Sequence, residues 1–207
     1  KADVMTIKEL DEKLNSPKFQ NPEDGDLFYN YFIYQYPADK EYDIRRQIKD
    51  FKVDLSRPMN YLDVLVIDLF KEFGCFLDKT SFLKNPSLLK YLLQKEKDKP
   101  EKAGNVQSTL SRYAHSKDFL AYIHQIIMEH KAKKDEMRRP YVFLHGIGSM
   151  YPYLRVNEFL ALYEDFNRTN EYKIIVFYPG NREGNSYKLF HVLHDQNTYR
   201  AILLINE

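Results

Sequence analysis

Two β-rich apolar runs, Tyr141 to Ile147 (YVFLHGI) and Lys173 to Tyr178 (KIIVFY), most constrain what this chain can fold into. Neither alternates apolar with polar residues, so each reads as a strand covered on both faces. Leu27 to Tyr36 and Tyr61 to Leu69 have the same character, and Ala201 to Ile205 is a last apolar run. Helical stretches lie between them. Ile7, Leu10 and Leu14 follow a Thr6/Glu9 capping box. Ile44, Ile48 and Phe51 share a face behind Asp39 as a cap, and the stretch after Leu69 ends near Gly74. Pro86 and Ser87 open a helix with Leu88, Leu89, Leu92 and Leu93 on its apolar side. A long helix is predicted over Val106 to Lys133 and another over Arg155 to Phe166. Strands alternating with helices predict an α/β fold: a mainly parallel sheet flanked by helices on both faces, Rossmann-like without a nucleotide fingerprint. The expectation is a single α/β domain over 1–207, with a helical middle segment, 86–134, as an insertion. The polar stretch Lys95 to Asn105, broken by Pro100 and Gly104, is expected to be mobile and open to proteases.

Composition excludes several functions. With 43% hydrophobic and 15% aromatic residues in 207, the chain can bury a full core. Its formal net charge is only +1. That balance argues against a dedicated duplex-DNA binder, and direct nucleic-acid contact is not expected. Cys75 is the single cysteine, in an apolar FGCFL context. It rules out an internal disulfide framework and reads as a buried, inert thiol. No apolar run reaches the ~18 residues that span a bilayer. The start KADVMTIKELDEKL has no signal-peptide core. A cytoplasmic protein without membrane contact is the expectation.

The loop His145 to Ser149 (HGIGS) joins the first run to the helix beyond it. Ligands of open α/β sheets bind at the carboxyl ends of strands, and glycine loops there can cradle anions. Here the fingerprints are incomplete. No lysine follows Gly148 as in GxxxxGK[ST], and Tyr151 stands where GxGxxG has its third glycine. A tight turn accounts for the glycines. Ser149 lacks the GxSxG elbow, although His191, His194 and Asp195 downstream offer a base and its orienter. His124 with His130, and His191 with His194, lack HExxH spacing, so no metal is expected. Asp63 and Asp68 flank the second strand with nothing to pair them as acid and base. The cations from Lys131 to Arg139 complement a helix C-terminus. No catalytic group and no cofactor are expected.

The chain has 17 tyrosines, 14 phenylalanines and no tryptophan. Tyr29, Tyr31, Tyr34 and Tyr36 crowd one strand, and Tyr151, Tyr153, Tyr178, Tyr187 and Tyr199 fall in or near the C-terminal loops. Tyrosine is favoured where one end is buried and the other wet, as at interfaces. At these loops the sequence resembles a known family. GIGSMYPYLRVNEFL (Gly146 to Leu160), VFYPG (Val176 to Gly180) and NSYKLF (Asn185 to Phe190) resemble the GxGSLFxxLRVSEL, FxPG and NNYRLL motifs of BrxB, a small component of BREX phage-defence systems. Phe32 to Ile48 matches the family's strand, Pro/Asp turn and helix more loosely. Ser186 replaces the usual second Asn. Gln196, Asn197, Thr198 and Tyr199 replace a Gly-Trp-Asn-Tyr, and the end reads RAILLI instead of an LAVPI-like strand.

The resemblance implies a part in a multi-protein system that methylates host adenines and blocks replication of unmodified phage DNA. The family has no assigned catalytic residues. Its neighbours include the alkaline-phosphatase-like PglZ, the large ATPase BrxC and the methyltransferase PglX. A non-catalytic adaptor is implied, with PglZ as first partner, then BrxC or PglX. The alternative is a small-ligand or nucleotide-binding protein, even a hydrolase, using the glycine loops at one sheet edge. Candidate partner- or ligand-binding residues are Gly146, Gly148, Ser149, Tyr151, Arg155, Glu158, Tyr178, Pro179, Gly180, Asn185 and Tyr187. Of the two helix-opening charges, Glu158 suits a structural place at a helix N-terminus and Arg155 a functional one.

Overall fold

A computed structural model describes residues 5–20, 31–55, 62–133, 140–167, 171–183, 186–189, 193–195 and 202–203. Its centre is a parallel sheet in the order β2-β3-β4-β1-β7. The strands are β1 (Tyr31–Tyr36), β2 (Val64–Asp68), β3 (Tyr141–His145), β4 (Lys173–Glu183) and β7 (Ile202–Leu203). The chain leaves β1 through α3 (Glu41–Leu55) and crosses to β2 at the far edge. It returns through α4 (Leu69–Lys79), α5 (Leu88–Asp98), α6 (Ala103–Ala114) and α7 (Lys117–Ala132) to β3, and through α8 (Val156–Tyr163) to β4. The first crossover runs one way over one face and the other two run back over the opposite face, so all three share one hand. The α/β class and the parallel sheet read from the sequence are therefore those of the molecule.

The absence of alternation in the strands has its explanation in two cores. Phe32, Tyr34 and Tyr36 of β1, Phe143 of β3, and Ile175 and Phe177 of β4 face α3 and the N-terminal α1 (Ile7–Asn15). Tyr31, Ile33, Val142, Leu144, Ile174, Val176 and Tyr178 face the α4–α8 layer. Both sides are dry, so both phases of the period-2 pattern are apolar. Phe143 stacks on Phe51 at 5.4 Å and meets Phe177 at 5.3 Å, which pins α3 to the sheet. Thr6 and Glu9 close the capping box of α1 as read, with Thr6 N–H donating to Glu9 Oε2 at 2.6 Å.

Several boundaries differ from the sequence reading, each for a physical reason. Residues 27–30 of the first strand lie outside the described residues. Asp39 lies inside a 3-10 turn, Ala38–Lys40, that leads into α3, so it does not cap that helix. The predicted helix over Val106 to Lys133 is two helices. Ser116 accepts from Phe119 N–H at 3.2 Å, capping α7 and ending α6 at the same point. The polar stretch Lys95 to Asn105 is mostly helical: α5 runs to Asp98, Pro100 opens a 3-10 turn, and α6 begins at Ala103. Pro there occupies an initial position, where its missing N–H has no helical partner to lose.

Gly74 does not end its helix. It lies inside α4, and a Cβ added there would meet nothing within 4 Å. Gly74→Ala should therefore raise stability by about 0.5–1 kcal/mol, read as a higher denaturant midpoint. Cys75 beside it is half-buried, which corrects the reading of a fully buried thiol.

The run VFYPG also differs from its prediction as a strand with a terminal loop. β4 continues through Pro179 and Gly180 to Glu183, and pairs antiparallel with β5 (Ser186–Leu189), which pairs in turn with β6 (Leu193–Asp195). Proline is accommodated because the β3 ladder stops earlier, at Leu144↔Val176.

Candidate functional site

All strand ends that matter meet at one edge. β3 and β4 are parallel neighbours, so the His145–Ser149 loop and the Tyr178–Gly180 segment lie at the same, carboxyl end of the sheet. Asp68 of β2 is in register with His145 of β3, and Tyr36 of β1 with Pro179 of β4. The β1 exit turns to one face and the β2 and β3 exits to the other, which makes this edge the topological switch point of the sheet.

The edge is filled by a polar network. Tyr36 Oη donates to Glu41 Oε2, and Arg45 Nε donates to Glu41 Oε1 at 2.6 Å, one helical turn along α3. Arg45 Nη2 then reaches Ser149 Oγ at 3.2 Å, tying α3 to the glycine loop. Burial and the bond to Glu41 hold the Tyr36 phenol neutral. Burial alone would lower the Arg45 pKa, but Glu41, Asp68 and Tyr36 outweigh it and keep the guanidinium charged.

Asp68 caps α4, accepting from Lys71 N–H at 3.1 Å. Gly146 stands directly over it with φ +76°, and a Cβ there would fall 2.4 Å from Asp68 Oδ1. Only glycine lets the β3 exit turn past this carboxylate. His145 Nδ1 is buried, 3.9 Å from Asp68 Oδ2, and has no hydrogen-bond partner among the described residues.

The glycine loop uses its own amides. Ser149, Met150 and Tyr151 N–H groups donate to Gly146, Ile147 and Gly148 carbonyls at 3.1, 3.1 and 3.3 Å. An anion nest needs such amides pointing outward. Here they close a 3-10 turn, Gly148–Met150. Ser149 Oγ engages Arg45, in keeping with a turn hydroxyl.

The remaining sequence candidates separate cleanly. Glu158 accepts from Arg155 N–H at 2.8 Å at the head of α8 and lies 3.3 Å from His115 Nε2. Arg155 is half-buried, with its guanidinium 5.9 Å from the Tyr151 ring centroid. Tyr178 is buried in the α4–α8 core and Pro179 and Gly180 are buried strand residues. The Tyr187 backbone lies in β5, opposite Arg182 and Asp195, and His194 and Asp195 are in β6. Asn185 and His191 lie outside the described residues, as does most of the Lys131–Arg139 cluster. Lys131 itself pairs with Glu171 at 2.6 Å. His124 Nδ1 meets Tyr172 Oη at 3.0 Å and His130 Nε2 meets Asp63 Oδ1 at 2.8 Å, two separate structural contacts of α7. Among the described residues no three His, Cys, Asp or Glu side chains group to hold a metal.

Sequence reasoning passed over Glu41, Arg45, Tyr42, Phe70 and His145. Glu41 and Arg45 carried an i,i+4 signal. Tyr42 is 89% exposed, off the Ile44/Ile48/Phe51 stripe of its helix. Phe70 is 47% exposed at the margin of the α4 stripe, and Tyr151 is 37% exposed. These three are the exposed aromatic side chains among the described residues, and each follows a carboxyl end: β1, β2 and β3 respectively.

His145 and His124 give the edge and its neighbouring layer a pH dependence. Burial lowers both pKa values below the ordinary 6.5; for His145, Arg45 and Lys49 add to this while Asp68 and Glu41 oppose it. The unfolded chain therefore takes up protons at higher pH than the folded one. Their contribution to stability is complete above about pH 6.5 and is lost as pH falls below it. Thermal unfolding should show a lower midpoint at about pH 5.5 than at about pH 7.5, and His145→Gln should reduce that difference.

Fold and edge together define an α/β protein of the doubly wound kind whose switch point is knotted by its own side chains. Residues 69–204 match the family model described as BREX protein BrxB. The chain belongs to the BrxB family and is a component of a BREX antiviral defence system. No curated protein and no solved structure was found to match it. Among the described residues no helix is long and apolar enough to cross a membrane.

Proposed function

We propose that the protein is a non-catalytic interaction subunit of its BREX system, and that its partner docks on the carboxyl edge of the sheet. The observation that carries this reading is the placement of Tyr42, Phe70 and Tyr151. Among the described residues most aromatics are buried and these three are exposed, all at one edge, with Arg155 beside Tyr151. Tyrosine, phenylalanine and arginine are the residues enriched in interface cores. The polar groups beneath them support the same reading. Glu41, Arg45 and Ser149 satisfy one another, so the edge is a preformed, stiff platform and its hydroxyl is not poised for attack.

The partner we infer first is PglZ, then BrxC or PglX, in work that serves host DNA methylation and phage restriction. Co-purification of this chain with each of the three in turn tests the reading. A stable complex should bury at least ~1,000 Å² and survive gel filtration. Arg155→Ala should weaken that complex while leaving the melting temperature within a few degrees, because its backbone N–H, which holds Glu158, is kept. Failure to associate with any of the three overturns the adaptor reading.

A further inference from the structure

Charge is segregated along this chain in a way its total conceals. Residues 79–102 carry seven lysines against Glu96, Asp98 and Glu101, a net of +4 in a chain whose formal net charge is +1. The structure gathers part of this charge around a cavity of about 480 Å³ along one flank of α5, lined by Asn85, Lys90, Tyr91, Gln94, Lys95, Asp98 and Lys99. Two adjacent rows of one helix build it. Tyr91 and Lys95 lie one turn apart with Lys99 at the helix end, and Lys90 and Gln94 repeat one position earlier.

Leu88 and Leu92, in the adjoining row of α5, are buried in the core, and Phe82 and Tyr91 pack against it, so the cavity belongs to a fixed wall of the α4–α8 layer. Tyr91 is half-buried, its ring 5.0 Å from Phe82, and Lys95 Nζ lies 5.8 Å from its centroid. The acidic member of the lining is engaged: Gln94 Nε2 donates to Asp98 Oδ1 at 2.7 Å.

We propose that this face binds single-stranded nucleic acid, with one nucleotide in the cavity and flanking phosphates on the surrounding lysines. Lys90, Lys95 and Lys99 supply the phosphate contacts, Tyr91 an aromatic surface for a base, Asn85 a neutral amide and Gln94 its remaining carbonyl oxygen for base edges. A positive groove joined to an aromatic platform is what sequence-tolerant single-strand binding requires. Lys84, Lys97 and Lys102, close in sequence to the lining residues, add positive charge beyond it, which favours a strand over a free nucleotide. The near-neutral total excludes a protein coated in cations. It leaves room for one local basic wall, balanced by acidic residues elsewhere. The site is built from different elements than the carboxyl edge and stands or falls separately from the adaptor reading.

Fluorescence anisotropy of a labelled oligothymidylate with the full chain tests this. Binding is expected at low salt, with a log–log salt slope of about −2 for three phosphate contacts on a single strand. Lys90→Ala/Lys95→Ala/Lys99→Ala should weaken binding at least about tenfold and flatten the slope. Tyr91→Leu, which keeps an apolar contact to Phe82, should weaken it about fivefold or more. A charge-matched control, Lys8→Ala/Lys40→Ala/Lys133→Ala, should bind like the parent. The proposal is overturned by absence of binding at low salt, or by equal losses in the triple variant and its control. Duplex of the same length binding as tightly, or polyglutamate competing as well as the oligonucleotide, also overturns it; the latter would mark a docking surface for an acidic protein.

Discussion

Gly146→Ala is expected to destabilise the protein by about 2–3 kcal/mol, lowering its melting temperature by roughly 4–12 °C. Two costs add. The backbone at Gly146 has φ +76°, where an L side chain carries about 1–2 kcal/mol of strain. The new Cβ would lie 2.4 Å from Asp68 Oδ1 and 3.3 Å from its Cγ, so the carboxylate must leave. Asp68 caps α4, and losing an N-cap costs about 1 kcal/mol. The two costs can be separated with Asp68→Ala. Removing the carboxylate takes away the two nearest atoms, and the next one, Phe70 N, lies 3.4 Å from the new Cβ. In that background Gly146→Ala should therefore cost only the backbone strain, and the double variant should be more stable than the sum of the singles predicts. Additive losses in chemical denaturation would show that Asp68 and Gly146 do not share the site.

That coupling marks the limit of what could be read from the sequence. The sheet was legible because the strands are buried on both sides, and a run such as Lys173 to Tyr178 has no other stable use. The glycine loop was legible as a place, since its residues mark the exit of a parallel strand. Its chemistry was not. Whether a Gly-rich loop offers its amides to an anion or spends them on a 3-10 turn depends on the carbonyls of Gly146, Ile147 and Gly148. Those positions follow from backbone torsions, which the residue types permit and do not dictate.

The polar network was illegible for a different reason. Arg45 and Ser149 are 104 positions apart, and only the β1-to-β2 crossover, which swings α3 over the sheet, brings them together. The end of β4 shows a third kind of failure. Pro179 and Gly180 carry strong local turn signals, yet pairing of Pro179 with β1 and of Gly180 with β5 holds them in an extended strand. Tertiary pairing outweighed local propensity there, as it does at many strand extensions. The exposed aromatics were visible only by subtraction. Tyr42 lies off the stripe that Ile44, Ile48 and Phe51 define, and an apolar residue off its stripe is the one sequence signal that points outward.

Tyr42→Ala/Phe70→Ala is expected to abolish partner capture while leaving the fold intact. Tyr42 is 89% exposed in the first turn of α3, where alanine is the better helix former, so its removal should leave stability within about 0.5 kcal/mol. Phe70 is 47% exposed, and its loss should cost about 1 kcal/mol or less in stability. A central interface aromatic contributes about 2 kcal/mol or more to binding, roughly thirtyfold in affinity for each of the two. Titration of the parent and double variant against the co-purifying partner, with thermal unfolding run alongside, measures both quantities. The decisive comparison is Val53→Ala/Leu93→Ala. Those side chains are 59% and 57% exposed, more than Phe70, but lie away from the carboxyl edge, near the end of α3 and on α5. If apolar exposure alone drove association, the second pair would lose as much affinity as the first. If the switch-point edge is the docking surface, only the Tyr42/Phe70 pair loses it.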